Sequence, residues 1–393
     1  MRLFIIYGRQ LDLFNGSNVH AIEVFNNLQN LGVDAFLFSK SSKTGNLKKR
    51  ENIIEIPSTH FDFPFANYLN IIIYQISLLT HLIYYSIKLR PDLFYTRLAG
   101  NSIAPAVVSS VLRINQVGEI NGITIDEMEI QGASKFKMKI AQLLENINFA
   151  TCKKLVAVTG GVKQRLMDLY AIPESQIIVI NNGANTKLFS PMDKNKAKSE
   201  LKLDNSLQYV CFVGNLIYWQ GVEYLIRASP FILKKCPNTR FLVVGDGVMK
   251  EELMQLADDL GSLDKVLFIG RVPYEKVPIY INASDVCVAP FIRERNSKIG
   301  LSALKTYEYL ACGKPLVASR IPGVKELIET SGGGISVRPE DPEELSTAVI
   351  KLLPDENTRN QMGKKGRNYI IENHSWESVA RKVKDVCKQA VKI

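Results

Sequence analysis

The sequence predicts an α/β protein of two doubly wound domains, each a parallel sheet covered by helices. Three observations carry that expectation. Short, β-branched, near-continuous apolar runs alternate with amphipathic stretches along the chain, the pattern of strands buried on both faces by crossover helices. The chain has 393 residues, room for two domains at roughly 100–200 residues each. The alternation breaks once, near 184–205, where an Asn182-Gly183 turn leads through Ser190-Pro191 into the charged stretch DKNKAKSE.

The elements follow in order. Strands of the first set are expected at 3–7, 35–38, 93–95, 116–119, 155–159 and 177–180. Those of the second are expected at 209–213, 241–244, 266–268, 286–289 and 316–318. The first domain is therefore 1–187 and the second 188–373. Ligands of open α/β sheets sit beyond the carboxyl ends of the strands, so two facing sheets put the expected site in the cleft between domains.

Composition narrows the classes. The chain is 46% hydrophobic and 22% charged, with mean hydropathy near zero, which excludes disordered and fibrous proteins. Its net charge of +10 favours anionic partners. That excess is even: residues 1–187 hold 19 basic and 14 acidic side chains and the remainder 30 and 25, so each part carries +5. No basic arm stands out, and nucleic acid is not an expected partner. Six scattered cysteines without a C-x-x-C pair suggest neither a disulfide framework nor a zinc site. The opening MRLFIIYGRQ is too short an apolar run for a signal peptide and reads as a strand, so a cytoplasmic protein is expected.

Residues 63–87 contain no Asp, Glu, Lys or Arg over 25 positions. Asn70, Ser77, His81 and Lys88 share one helical face and leave a broad apolar one. The segment reads as a crossover helix packed in the domain core, ahead of a helix partly touching a membrane. A transmembrane span would cut a continuous α/β domain in two.

Three regions carry chemistry. Asp12 to His20 follows the first strand and opens a helix; Gly16 allows a phosphate to approach backbone N–H groups there, while a tight turn capped by Ser17 explains the same residues. In the second half Gly214, Gly245 and Gly270 each end a strand, within VGNLIYWQG, VVGDG and GRVP. None forms G-x-G-x-x-G, so a dinucleotide fingerprint is absent, but three such turns in order point to a nucleotide site. The third region begins with Gly300, Leu301 and Ser302 and continues into a helix bearing Lys305 and Glu308, three positions apart on one face. That pair is either a surface ion pair or a phosphate- and ribose-binding couple near a helix N-terminus.

These strings resemble the retaining glycosyltransferase family four, of GT-B architecture. The resemblance runs through the loop at Gly16, VTGGVKQRL at 158–166, VINNGANTKLFSP at 179–191, VGNLIYWQGVEYLI at 213–226, VVGDG at 243–247 and KTYEYLACGKPLVAS at 305–319. It implies two Rossmann-like domains facing across a cleft, with a final helix, 374–393, crossing back to the first. It also implies a UDP- or GDP-sugar donor held mainly by the second domain. Arg271, Val272 and Pro273 then lie by the base, Glu308 holds the ribose, and Gly16 faces the diphosphate. Asn121 stands where many relatives have a histidine near the sugar, with Glu119 the nearest carboxylate and Arg97 beside it.

Two departures matter. Relatives commonly carry Arg and Lys where this chain has Asn215 and Gln220, and Gly300 stands where the first Glu of an E-x7-E pair is common. Lys305, with Arg9 or Arg97, is expected to supply the missing charge. No D-x-D string is present, so metal-independent transfer with no cofactor beyond the donor is expected. The resemblance implies retention of configuration. The acceptor is expected to be a glycan or lipid-linked, the product a surface glycan, and the location the inner face of the cell membrane with peripheral contact to anionic lipid. A sugar-nucleotide 2-epimerase and a non-catalytic sugar-nucleotide binder are the alternatives.

Overall fold

A computed structural model describes residues 1–11, 15–41, 52–59, 61–62, 66–98 and 102–392. Residues 12–14 of the first loop and 63–65 of the uncharged segment lie outside the described residues. The chain divides into two units, Met1–Asn181 with Glu377–Ile393, and Asn182–Trp376. The division falls at 181 rather than 187 because the intervening stretch is tied into unit 2. Asn182 donates its backbone N–H to Ser302 Oγ (2.8 Å) and its amide to Ser302 O (2.6 Å), and Ala184 bridges Ser375. Trp376 N–H then donates to Ala184 O, which moves the second limit from 373 to 376.

Unit 1 contains strands β1 (Arg2–Gln10), β2 (Asp34–Lys40), β3 (Ile53–Ile56), β4 (Leu93–Arg97), β5 (Asn115–Ile120), β6 (Lys154–Ala157) and β7 (Ile177–Val179). They pair in parallel in the order β3-β2-β1-β4-β5-β6-β7. Its helices are α1 (Gly16–Asn30), α2 (Ala66–Leu89), α3 (Ala104–Leu112), α4 (Thr124–Ile130), α5 (Lys135–Ala150) and α6 (Gly160–Tyr170). The uncharged segment forms α2, the β3-to-β4 crossover. Its Tyr74, Leu78 and Leu82, spaced four apart, pack with Phe4, Ile6 and Phe94 of the sheet. By length and composition Leu69–Leu89 would also cross a membrane, but that buried seam makes it part of this core. Ser17 is not the cap of α1: Asn15 is, its side chain accepting from Asn18 N–H. Thr159, expected in a strand, instead caps α6 by accepting from Val162 N–H.

Unit 2 contains β8 (Gln208–Val213), β9 (Thr239–Val244), β10 (Val266–Gly270), β11 (Val286–Ala289), β12 (Leu316–Ser319) and β13 (Gly334–Val337), parallel in the order β10-β9-β8-β11-β12-β13. Its helices are α7 (Lys194–Glu200), α8 (Val222–Lys235), α9 (Lys250–Asp259), α10 (Val277–Ala283), α11 (Arg293–Asn296), α12 (Leu304–Ala311), α13 (Val324–Ser331), α14 (Pro342–Leu352) and α15 (Glu356–Asn373). Strand side chains alternate between two cores. Tyr209, Cys211, Leu242 and Val244 pack on one face, and Val210, Phe212, Phe241 and Val243 on the other. The last helix, α16 (Trp376–Lys392), returns from Glu377 onward to unit 1. All six cysteines are free thiols.

Strand order reverses between β1 and β4 in unit 1 and between β8 and β11 in unit 2. The carboxyl ends of those strands are where each sheet opens a crevice for a ligand.

Candidate functional site

In unit 2 the loops leaving β8, β9 and β10 are stacked backbone on backbone. Gly214 N–H donates to Val244 O, Leu216 N–H to Asp246 O and Gly245 N–H to Gly270 O, each at 2.9 Å. Gly245 has φ +139°, and a Cβ there would stand 1.9 Å from Gly214 O. Only glycine permits this layering, which leaves bare backbone at the switch point of the sheet.

Lys305, at the start of α12, projects onto that stack. Its Nζ donates to Gln220 Oε1 (2.7 Å) and lies 3.9 Å from the Phe212 ring centroid and 5.6 Å from that of Phe291. A Cβ on Gly214 would stand 2.3 Å from Nζ, so the missing side chain of Gly214 is the space the amine occupies. Burial draws the Lys305 pKa down to about 7, with the charge of Glu308 acting the other way. Phe212 offers a ring face to the protonated form. Glu308 is buried and accepts from Tyr274 Oη (2.9 Å), so the two residues of the expected pair reach different partners. Tyr274 directly follows Val272 and Pro273, which ties the segment after β10 to α12.

The other expected residues of this unit divide into clamps and exposed groups. Gly300 has φ +70°, and Leu301 N–H donates to Pro322 O (2.9 Å). Ser302 Oγ hydrogen-bonds with Tyr307 Oη (2.9 Å) and accepts from Asn182 N–H, so its hydroxyl is engaged within the protein. Asn215 and Arg271 are exposed, and Val272 is half-buried against the core.

In unit 1 the carboxyl ends of β4 and β5 meet the first turn of α1. Glu119, only 2% exposed, accepts from Tyr95 Oη (2.7 Å), His20 Nε2 (2.9 Å) and Asn121 Nδ2 (2.6 Å). Burial would raise its pKa, but the charge and hydrogen bond of His20, then Arg97 and the Asn121 amide, together hold the carboxyl far below its ordinary range. Since an ionised carboxylate only accepts, the amide nitrogen of Asn121 must face it and the carbonyl oxygen must face away. Arg97 donates to Ser17 O (3.3 Å) over the Tyr7 ring, and Tyr7 Oη lies 2.7 Å from Ser17 Oγ and donates to Asn18 Oδ1 (2.6 Å). Gly16 is the exposed first residue of α1. Glu119 is thus a buried anchor holding Asn121, not a carboxylate open to a reacting centre.

Tyr7, His20, Tyr95 and Tyr274 were not singled out from the sequence. His20 sits one helical turn past Gly16, the one signal available; the tyrosines read as ordinary strand and turn residues. Among the described residues no three His, Cys, Asp or Glu side chains gather as a metal site.

Comparison with known proteins fits this geometry. Residues 14–188 match the model for Glycosyltransferase Family 4 and residues 193–369 that for Glycosyl transferases group 1. The chain is 29% identical over 259 residues to an uncharacterized glycosyltransferase of Methanocaldococcus jannaschii, covering 65% of each protein. It is 30% identical over 210 residues to the GDP-mannose-dependent alpha-(1-6)-phosphatidylinositol monomannoside mannosyltransferase of Mycolicibacterium smegmatis, covering 52% of this chain and 54% of that one. The matches thus span less than two thirds of these curated relatives. Among solved structures, Anabaena HepE in complex with UDP superposes with a TM-score of 0.78 at 16% identity, covering 99% of this chain and 100% of that one. Two Rossmann-like sheets, the glycine-layered loops of unit 2 and two family models that together take in most of the sequence lead to one conclusion: the chain belongs to the GT-B glycosyltransferases of family four and group 1.

Proposed function

We propose that the protein transfers a sugar, with retention of configuration, from a UDP- or GDP-sugar to a hydroxyl of a glycan or lipid-linked acceptor, in surface-glycan synthesis at the cytoplasmic face of a membrane. The observation that carries this reading is the seating of Lys305 on Gly214 with Gln220 as its partner. It puts a side chain able to take a proton against half-buried glycine backbone at the switch point of unit 2, the place this reading gives to the diphosphate. The GDP-mannose-dependent relative and the UDP complex of HepE support a nucleoside diphosphate donor.

Within unit 2, the loops after Gly214 and Gly245 line the phosphates, Glu308 accepts from the ribose hydroxyls, and backbone at Arg271–Pro273 lies by the base. As the glycosidic bond breaks, negative charge grows on the departing diphosphate, and protonated Lys305 stabilises it more strongly than it stabilises the intact donor. In unit 1, Asn121 presents its carbonyl oxygen to a sugar hydroxyl, Glu119 fixes that orientation, and Arg97 adds positive charge beside α1. No cofactor or metal is required in this scheme beyond the donor.

The test is a panel of UDP- and GDP-sugars. The donor should raise the thermal midpoint, because it binds the native state alone, and transfer should follow when acceptor is added. Epimerised donor without acceptor would replace this reading with an isomerase. Binding without any turnover would make the protein a sugar-nucleotide binder.

A further inference from the structure

Large apolar side chains are unevenly spread over the surface. Of 23 exposed among the described residues, 12 lie on three helices of unit 1, namely α2, α3 and α5. Topology puts these three in one layer. The chain steps from β1 to β2 through α1 in one direction along the sheet, and from β3 through β7 in the other, so right-handed crossovers place α1 on one face and α2, α3 and α5 on the opposite one. The shared core of α2 and α3 with Phe4 and Ile6 agrees.

The outer sides of these helices form stripes. On α2, Ile72, Ile76, Tyr84 and Ile87 are exposed behind the buried seam, and Val107 and Val111 continue the surface on α3. On α5, Phe136, Ile140, Leu143 and Ile147 recur at four, three and four positions, with Phe136 72% and Leu143 60% exposed. On these three helices themselves the exposed charge has one sign, while α4, packed against α5, carries Glu127 and the exposed Glu129. Lys88, Lys135, Lys137 and Lys139 are exposed, Arg90 and Arg113 follow α2 and α3, and the one carboxylate on the three helices, Glu145, is buried and accepts from Tyr170. Because α5 leads into the amino end of β6, its first turn lies at the carboxyl end of the sheet, the end that carries Asn121.

We propose that this layer docks on an anionic lipid bilayer, with the Phe136–Ile147 side of α5 inserted among the headgroups and the lysines pairing with lipid phosphates. An apolar stripe whose own helices expose lysine and no carboxylate is complementary to such an interface. The proposal rests on the reading of the acceptor as lipid-linked for its purpose, and it brings the Asn121 end of unit 1 to the lipid surface.

Flotation of the full chain with vesicles tests it. The protein should float with phosphatidylcholine vesicles containing phosphatidylglycerol and at least tenfold less with phosphatidylcholine alone. Phe136→Glu with Leu143→Glu should cut the bound fraction on anionic vesicles at least tenfold. Lys137→Gln with Lys139→Gln keeps the apolar stripe and should lose the preference for anionic lipid at an unchanged thermal midpoint. The proposal is overturned if the parent stays unbound on anionic vesicles, if the Glu variant floats as well as the parent, or if the parent is a dimer that the Glu variant splits without any lipid binding. Donor-induced thermal stabilisation of the same variants reports on unit 2 separately: its loss in the parent would sink the transferase reading while leaving the flotation result standing.

Discussion

Lys305 and Gln220, 85 positions apart, are joined by a 2.7 Å hydrogen bond from Nζ to Oε1. The family resemblance implies a lysine at the position of Gln220. A lysine there would oppose Lys305 across the same short gap, so the neutral residue at 220 and the amine at 305 are two sides of one arrangement. The amine that faces the glycine stack is carried by α12 and not by the loop that holds Gln220.

Removing that amine should therefore slow transfer by more than it weakens donor binding. Lys305→Ala is expected to lower kcat about 30- to 1,000-fold, since a contact that strengthens in the transition state is worth about 2–4 kcal/mol. Adding Gln220→Lys to it should recover at least about tenfold, or about 1.4 kcal/mol. Glu308→Gln should act chiefly on donor affinity. Steady-state kinetics with saturating acceptor separates these outcomes, and a Lys305→Ala rate within about twofold of the parent would end the idea of a displaced charge.

Donor binding should take up a proton. With its pKa near 7, Lys305 is largely neutral above that pH, and a diphosphate beside it restores the charged form. Affinity for a nucleoside diphosphate should be flat below about pH 7 and fall by up to about tenfold per pH unit above it. Calorimetry in two buffers of different ionisation enthalpy measures the uptake directly, and Lys305→Met should abolish it.

Gly245→Ala should destabilise unit 2 by more than about 2 kcal/mol, because strain and a backbone clash coincide there. Gly32→Ala is the comparison. Its φ of +75° carries strain, yet nothing lies within 4 Å of the added methyl, so about 1–2 kcal/mol is expected. Denaturant melts of the two variants give the ordering.

Glu119 should make unit 1 acid-sensitive. Its folded pKa is depressed, so its contribution is complete above the unfolded carboxyl value and is lost as pH falls below about 4.5 toward the folded value. Glu119→Gln should cost about 3–5 kcal/mol at neutral pH by leaving its buried partners uncompensated, and it should flatten the acid limb of the stability curve. Thermal melts from neutral to acidic pH test both.

Much of this architecture was legible in the residues, and the exceptions have physical causes. Strands such as β8 and β11 announce themselves because both faces are buried. Two strands did not. β3 is an edge strand in a charged stretch with three of its four residues at least partly exposed, and β13 begins in a glycine run that reads as a turn. In fact Gly334 lets β13 approach β12, since a Cβ there would meet Leu316 O at 2.0 Å. Among site residues the glycine loops were visible because their demand is local. The Glu119 hub was not, because His20 and Tyr95 lie 99 and 24 positions away, and only the β4–β5 register and the seating of α1 at those strand ends bring them together.

The return of α16 to unit 1 bears on how the protein is made. Val379, Val383, Val386 and Cys387 are buried, and Lys384 donates to Leu31 O. Unit 2 is continuous in sequence and can finish folding on the ribosome as it emerges. Unit 1 cannot: its core lacks a wall until everything from Asn182 to Trp376 has been synthesised. During that interval the part of unit 1 that α16 covers, Leu31 among it, stays open to solvent, and the side chains that α16 itself will bury have not yet been made.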